Sequence, residues 1–240
     1  MQVDCLQKMG LIIKILWITF KHSMQVVCTA VFFKEGHVDA HRIVLEWARK
    51  LLKVLRIKCQ ILNTSNFEFS SRRVYIIMSN HASHFDIPLM YITFPQENIG
   101  MIAKKDLFRL PIFGLGMKIA GCIAIDRDDR RQALKDLAIA KHSMLNGIRL
   151  WIAPEGTRSH NGQMNPFKKG GFKIAMDTNA IIVPVTIVGS NRILPAKTYD
   201  FSMDENIKIC IGRPLDTANY KTHDLSKLMS DTEREIKVNL

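Results

Sequence analysis

Residues 80 to 86 read NHASHFD, two histidines and one aspartate within seven positions, directly after the apolar run RVYIIMS. A carboxylate bonded to one imidazole nitrogen fixes the ring's tautomer and stabilises its protonated form, leaving the other nitrogen to take a proton. A base oriented in this way is worth roughly 10²–10⁴ in rate. Spacing leaves the choice of histidine open, because His81 and His84 are both close to Asp86 in the chain. A polar turn in which Asn80 or Ser83 caps a following helix fits the same letters. RVYIIMS reads as a buried strand, so the stretch falls at a strand's C-terminal end, where α/β proteins commonly build their sites. If the chain turns helical after residue 83, Asp86 lies in the first turn and can swing back to His81.

A second group follows the apolar stretch IRLWI as APEGTRS, residues 153 to 159. Gly156 lets a ligand approach the backbone closely, Thr157 and Ser159 offer hydroxyls, and Arg158 offers a planar fork matched to phosphate. Glu155 has two candidate jobs, binding a substrate hydroxyl or holding Arg158. Soon afterwards NPFKKGGFK adds Lys168 and Lys169 to a glycine-rich turn before a helix, an arrangement suited to an anion. A base and a phosphate clamp on one sheet edge suit transfer of a group to a hydroxyl on a phosphorylated acceptor.

Composition agrees with anionic partners. The 240-residue chain carries a formal net charge of +12, and its apolar content of 47% is enough for a full core. No helix-turn-helix spacing, zinc finger or RNP-type aromatic motif stands out, so nucleic acid is not the expected partner. The five cysteines form no C-x-x-C pair, which points to a reducing compartment and gives no support for a structural metal.

The elements that must position these groups can be read along the chain. Residues 9–33 are the most hydrophobic region, interrupted by Lys14, Lys21 and His22. They fit an imperfect membrane span, a helix lying in the bilayer interface, or a helix packed on the domain; contact with a membrane is the favoured reading. A secretory signal is disfavoured, because Lys14 falls inside the apolar region. Helical spacing of Val44, Trp47, Leu51, Leu52 and Leu55 predicts an amphipathic helix over 36–57. Strands are expected at 57–62, 74–79, 99–103, 122–126, 148–153, 181–188 and 206–211, with helices at 84–93, 129–146, 169–178 and 222–238. This alternation predicts an α/β sheet with covered faces. The expected organisation is a helical, membrane-associating stretch over 1–56 and a catalytic domain over 57–240.

The ordered series NHASHFD, AKKDL, GCIAIDR, APEGTRS, FKKGG and VPV resembles the 1-acylglycerol-3-phosphate acyltransferase family over residues 74 to 190. The resemblance implies a mixed sheet covered by helices, of the glycerophosphate acyltransferase type. It makes His81 the base and Asp86 its orienting carboxylate, with His84 at a variable position. It implies that Glu155, Gly156, Thr157 and Arg158 bind the glycerophosphate, together with Arg127 and Lys168. Pro184, in VPV, would help shape the acyl-donor site. Acyl-CoA or an acyl-carrier protein would be the donor, a lysophospholipid the acceptor, and a membrane surface the third partner. Neither cofactor nor metal is implied, and the active site would face the cytoplasm. Ala124 and Ala153 depart from the family, which often has Phe at both places; the loss of bulk is expected to alter acyl or acceptor selectivity. Acylation of another lysophospholipid or a lyso-aminolipid, and a non-catalytic lipid- or CoA-binding role, are the alternatives. A hydrolase using Ser79 or Ser83 would lack the G-x-S-x-G elbow.

Overall fold

The computed structural model describes residues 5–32, 36–70, 72–126, 129–160 and 163–240. Two helices come first, α1 (Cys5–Phe32) and α2 (Gly36–Val54), then the strands β1 (Lys58–Asn63) and β2 (Tyr75–Ser79). Next are α3 (Asp86–Thr93), β3 (Ile99–Lys104), α4 (Phe113–Ile119), β4 (Ile123–Ile125), α5 (Arg130–Leu145) and β5 (Arg149–Ile152). The chain closes with α6 (Lys169–Asp177), β6 (Ile181–Val188), α7 (Ser190–Ile193), β7 (Asn206–Ile211), β8 (Leu215–Asp216) and α8 (Leu225–Lys237).

The strands form one mixed sheet in the order β1-β7-β6-β2-β5-β3-β4, with β8 paired to β6. β6 runs parallel to β2 and antiparallel to β7 and β8, while β2, β5, β3 and β4 are parallel neighbours. Side chains alternate across such a sheet, and the two cores divide accordingly. Tyr75, Ile77, Trp151, Val183, Val185 and Ile187 pack on one face with α2 and α3. Ile76, Met78, Leu150, Ile152 and Ile182 pack on the other with α5, α6 and α8. β2 is buried at every position, as a strand covered on both faces must be.

All seven expected strands are present within two residues of their expected ends. β8 was not expected, and neither was α4. At seven residues and with two glycines, α4 is too short to leave a helical period in the sequence. Gly114 is required there, because a Cβ would lie 2.2 Å from the carbonyl oxygen of Phe108.

The most hydrophobic stretch is a single 28-residue helix, α1. It packs along one side against α2 and α4 and leaves Leu6, Ile13, Leu16, Trp17, Phe20 and Phe32 exposed. Within it, Leu6–Phe32 is long and apolar enough to cross a membrane by length and composition. The sheet and the α1–α2 pair are joined by packing of α2 on α3.

Candidate active site

Because β2, β5, β3 and β4 are parallel neighbours, the loops leaving their C-terminal ends gather at one edge. That edge brings together His81 after β2, Lys104 at the end of β3, and the 153–159 stretch after β5. Asn80 fastens the first loop in place: its side-chain amide donates to the Ile187 carbonyl and accepts from the Ile187 N–H, both at 2.8 Å.

The contacts of one carboxylate oxygen show which of the two histidines Asp86 holds. Asp86 is the first residue of α3 and is fully buried, and its Oδ2 lies 2.8 Å from His81 Nδ1. The same oxygen accepts the backbone N–H groups of Ala82 and Ser83 at 2.8 and 2.9 Å. The carboxylate therefore folds back over the preceding turn and holds the ring and its backbone together. The N-cap position is Phe85, not Asn80 or Ser83; Ser83 Oγ donates to the Leu194 carbonyl at 2.9 Å and accepts the Phe85 N–H at 3.3 Å. His81 stands edge-on to Trp151, whose Nε1 donates to Ser79 Oγ at 3.0 Å.

Glu155 sits behind this pair and is only 2% exposed. One of its oxygens accepts the His81 N–H at 2.8 Å and the other accepts the Asn165 N–H at 2.7 Å. Burial raises its carboxyl above the usual value, and the two N–H donors pull the other way. Ser159 closes the connection by donating its N–H to the His81 carbonyl at 2.8 Å. Glu155 thus joins the two loops and does not line the cavity described next. Neither job considered for it in sequence, gripping a substrate hydroxyl or holding Arg158, matches these contacts.

His81 opens on a cavity of about 630 Å³, also lined by Trp151, Gly156, Thr157, Arg158 and Lys168. Gly156 has φ +73°, a conformation that favours glycine, and a Cβ there would displace the flexible end of the Lys168 side chain, 2.9 Å away. Arg158 presents a buried Nη1 with no hydrogen-bond partner among the described residues, and burial lowers the guanidinium's pKa against the opposing pull of Asp86. Lys104, His160 and Lys197 line the same cavity and were assigned no role in sequence. Lys104 lies within the quoted AKKDL run; Lys197 is carried by a loop with no motif. Ala153 lines the cavity and Ala124 does not.

A second, apolar cavity of about 340 Å³ lies alongside, walled by α1, α2, α3 and α4. Its lining includes Ile15, Val26, Trp47, Tyr91, Met117 and Phe201. His84, Ile87, Met101, Ala103 and Leu107 line both cavities and so form their shared wall. Partial burial of the His84 ring, and then the Arg158 guanidinium, push its pKa down to about 4, which leaves it neutral near pH 7.

One expected residue falls elsewhere, and one lies outside the described residues. Pro184 is buried in β6, paired with Met78, at the point where the antiparallel partner changes from β7 to β8. A residue without an N–H suits that break in the ladder, and Pro184 lines neither cavity. Arg127 lies outside the described residues; its neighbour Asp126 is buried, pairs with the Lys105 ammonium and donates its N–H to Asp136 at 2.8 Å. Among the described residues no three His, Cys, Asp or Glu side chains group closely enough to hold a metal ion.

Residues 59–188 match the family model described as Acyltransferase. The chain is 30% identical over 146 residues to a chloroplastic 1-acyl-sn-glycerol-3-phosphate acyltransferase of Brassica napus, covering 61% of this chain and 42% of that one. It is 28% identical over 186 residues to the alpha form of 1-acyl-sn-glycerol-3-phosphate acyltransferase from Mus musculus, covering 75% of this chain and 65% of that one. The chain thus spans less than two thirds of the length of these relatives. The crystal structure of the 1-acyl-sn-glycerophosphate acyltransferase PlsC from Thermotoga maritima shares the fold, with a TM-score of 0.71, 22% identity and 95% of both chains covered.

Proposed function

The chain belongs to the acyltransferase family, and from that premise we propose that it moves a fatty acyl group from a thioester to the free hydroxyl of 1-acylglycerol-3-phosphate, giving phosphatidate. The observation that carries this reading is the meeting of the His81–Asp86 pair with two unlike cavities, one cationic and one apolar. An acyl chain fits the second and a glycerophosphate the first. Relatives named for this activity support the choice of acceptor.

In this mechanism Asp86 accepts a hydrogen bond from the His81 Nδ1–H, so Nε2 holds the lone pair that takes the acceptor's hydroxyl proton. The acceptor oxygen attacks the thioester carbonyl, and the tetrahedral intermediate collapses by breaking the carbon–sulfur bond. The proton on His81 passes to the leaving thiolate, so base and acid are the same ring. The acceptor itself is the nucleophile, and no covalent enzyme intermediate forms. Arg158 and Lys168 hold the acceptor phosphate, with Arg127 joining them, and Thr157 and Gly156 shape the turn beneath it. Glu155 keeps the 153–159 loop in register with His81. Pro184 acts through the sheet beneath the site.

α1 seats the protein at a membrane, where both lipids reside, through an outward face of Leu, Ile, Trp and Phe. Residues 1–56 serve this anchoring and 57–240 the chemistry, on the cytoplasmic side. The donor is acyl-CoA or an acyl-carrier protein. The decisive assay supplies membrane fractions containing the protein with labelled acyl-CoA and a panel of lyso-acceptors. Labelled phosphatidate from lysophosphatidate is expected; product from a head-grouped or amino acceptor alone would overturn the choice of acceptor.

A further inference from the structure

We propose that Lys197 is a specificity-determining residue that favours acceptors ending in a phosphate monoester over those whose phosphate is esterified to a head group. The inference rests on the acyltransferase reading above and goes further, because it assigns acceptor choice to a residue outside every motif.

Lys197 adopts φ +62°, a left-handed conformation that side chains with a Cβ rarely take. It stands third in the turn Pro195–Thr198, which is closed by a hydrogen bond from the Thr198 N–H to the Pro195 carbonyl at 3.3 Å. A four-residue turn with a positive φ at its third position is where glycine or asparagine is favoured, and lysine there is strained. Nothing around the turn compensates lysine: it makes no ion pair or side-chain hydrogen bond among the described residues, and the residue is exposed. What the lysine gains is its place on the wall of the cavity that holds His81, Arg158 and Lys168.

The loop bearing it is firmly held. The Leu194 carbonyl accepts from Ser83 Oγ at 2.9 Å, two residues from His81, and Phe201 packs edge-on against Phe85. Leu194 and Phe201 line the apolar cavity while Ala196 and Lys197 line the polar one. Lys197 thus reaches the reaction edge on a separate loop from Arg158 and Lys168.

The acceptor's phosphate is one carbon away from the carbon bearing the reacting hydroxyl, so it must lie inside this cavity when His81 engages that hydroxyl. The donor's nearest phosphate is separated from the thioester by the whole pantetheine arm. A monoester carries about −1.5 to −2 charges near pH 7, whereas a diester carries one and is shielded on one side by its head group. An added cation on a second loop benefits the monoester more.

The test compares the full chain in membrane fractions with its Lys197→Gly and Lys197→Arg variants, on lysophosphatidate and on lysophosphatidylglycerol. Glycine relieves the turn, so Lys197→Gly is expected to keep or raise the thermal midpoint. Its KM for lysophosphatidate should rise roughly tenfold, as expected for one lost charge-assisted bond. Its kcat, its KM for acyl-CoA and its KM for the diester should change less than about twofold, and Lys197→Arg should restore most of the loss. An unchanged lysophosphatidate KM, an equal rise for both acceptors, or a rise for acyl-CoA instead would overturn the proposal. Weaker binding of Lys197→Gly to phosphatidylglycerol vesicles, matching the activity loss, would assign the lysine to the membrane and overturn it too. Wild-type protein that fails to acylate lysophosphatidate would sink the functional reading itself, and Lys197's role with it, before any variant is compared.

Discussion

The two cavities that meet at His84 are built in opposite ways. The polar one is fixed by short-range chemistry, in which buried carboxylates take up backbone N–H groups and the ring they orient. The apolar one is fastened through side chains of α1 and α2, where the Trp47 indole donates to Thr19 Oγ1 at 3.1 Å and Lys50 Nζ lies 3.3 Å from His22 Nε2. Its walls are side chains of four helices whose separation depends on how α1 and α2 pack against α3 and α4. Buried polar groups must be paired in specific geometry, so the first cavity tolerates little change. Apolar packing sets only volume and shape, so the second can vary in depth while the chemistry stays constant. Under the proposed function this becomes a division of labour in which the polar cavity sets whether the reaction runs and the apolar cavity sets which chain is transferred.

The strongest challenge to that division is removal of the base. His81→Ala is expected to lower kcat by roughly 10²–10⁴ with every acyl donor alike, whereas His84→Ala keeps substantial activity. Turnover measured with donors of several chain lengths checks both statements. A chain-dependent loss in His81→Ala, or a wild-type rate, would break the comparison.

A smaller effect is expected at the phosphate clamp. Hydrogen bonds to charged groups contribute about 1.5–3 kcal/mol, so Arg158→Ala should raise the acceptor KM at least tenfold and leave the acyl profile unaltered. If acceptor KM and kcat both stay at wild-type values, the guanidinium has no part in holding the phosphate.

The apolar cavity should respond in the complementary sense. Val26 of α1 lines it and belongs to a small cluster with Ala40 and Ile43 of α2. Val26→Phe is expected to disfavour the longest chains, each methylene excluded being worth roughly tenfold, while the acceptor KM is unchanged. Competition between acyl-CoAs of two lengths reads the shift, and an unaltered preference would detach this cavity from chain choice.

The same contrast explains what could be read from the letters. The strands are contiguous apolar runs such as YIIMS and RLWI, and the polar loops follow them directly, so sheet and motif were visible together. In sequence His81 could be preferred to His84 only through the family resemblance; the structure adds that it is the His81 Nδ1 that Asp86 Oδ2 bonds. Glu155 was legible as a motif residue and not as a link, since its partners are backbone N–H groups, one of them 74 positions away. Backbone donors leave no trace in residue types. The apolar cavity was invisible for a related reason. Residues from Ile15 to Phe201 contribute one side chain at a time, and α4, which closes one side, has no helical period.

The smallest expected effect lies on the shared wall, where His84 reports how polar the junction is. Its ring has a folded-state pKa of about 4 against an ordinary value of 6.5, owing first to burial and then to Arg158 and His81. A depressed histidine binds its proton more readily in the unfolded chain, so between pH 6.5 and about 4 the unfolded state carries more protons. Stability therefore falls as the solution is acidified through that window, and above pH 6.5 His84 contributes nothing. Glu155 acts in the opposite sense, because its raised carboxyl makes acid relieve part of its burial cost. Replacing His84 by Asn removes only the first of these slopes. The thermal midpoint of His84→Asn should therefore fall less than that of wild type between pH 6.5 and 4, and the two should run parallel above it. Because part of the His84 ring meets solvent, screening keeps the difference small. Parallel curves across the whole range would mean that the ring is neither buried enough nor close enough to Arg158 to resist its proton, and that the shared wall is open to water.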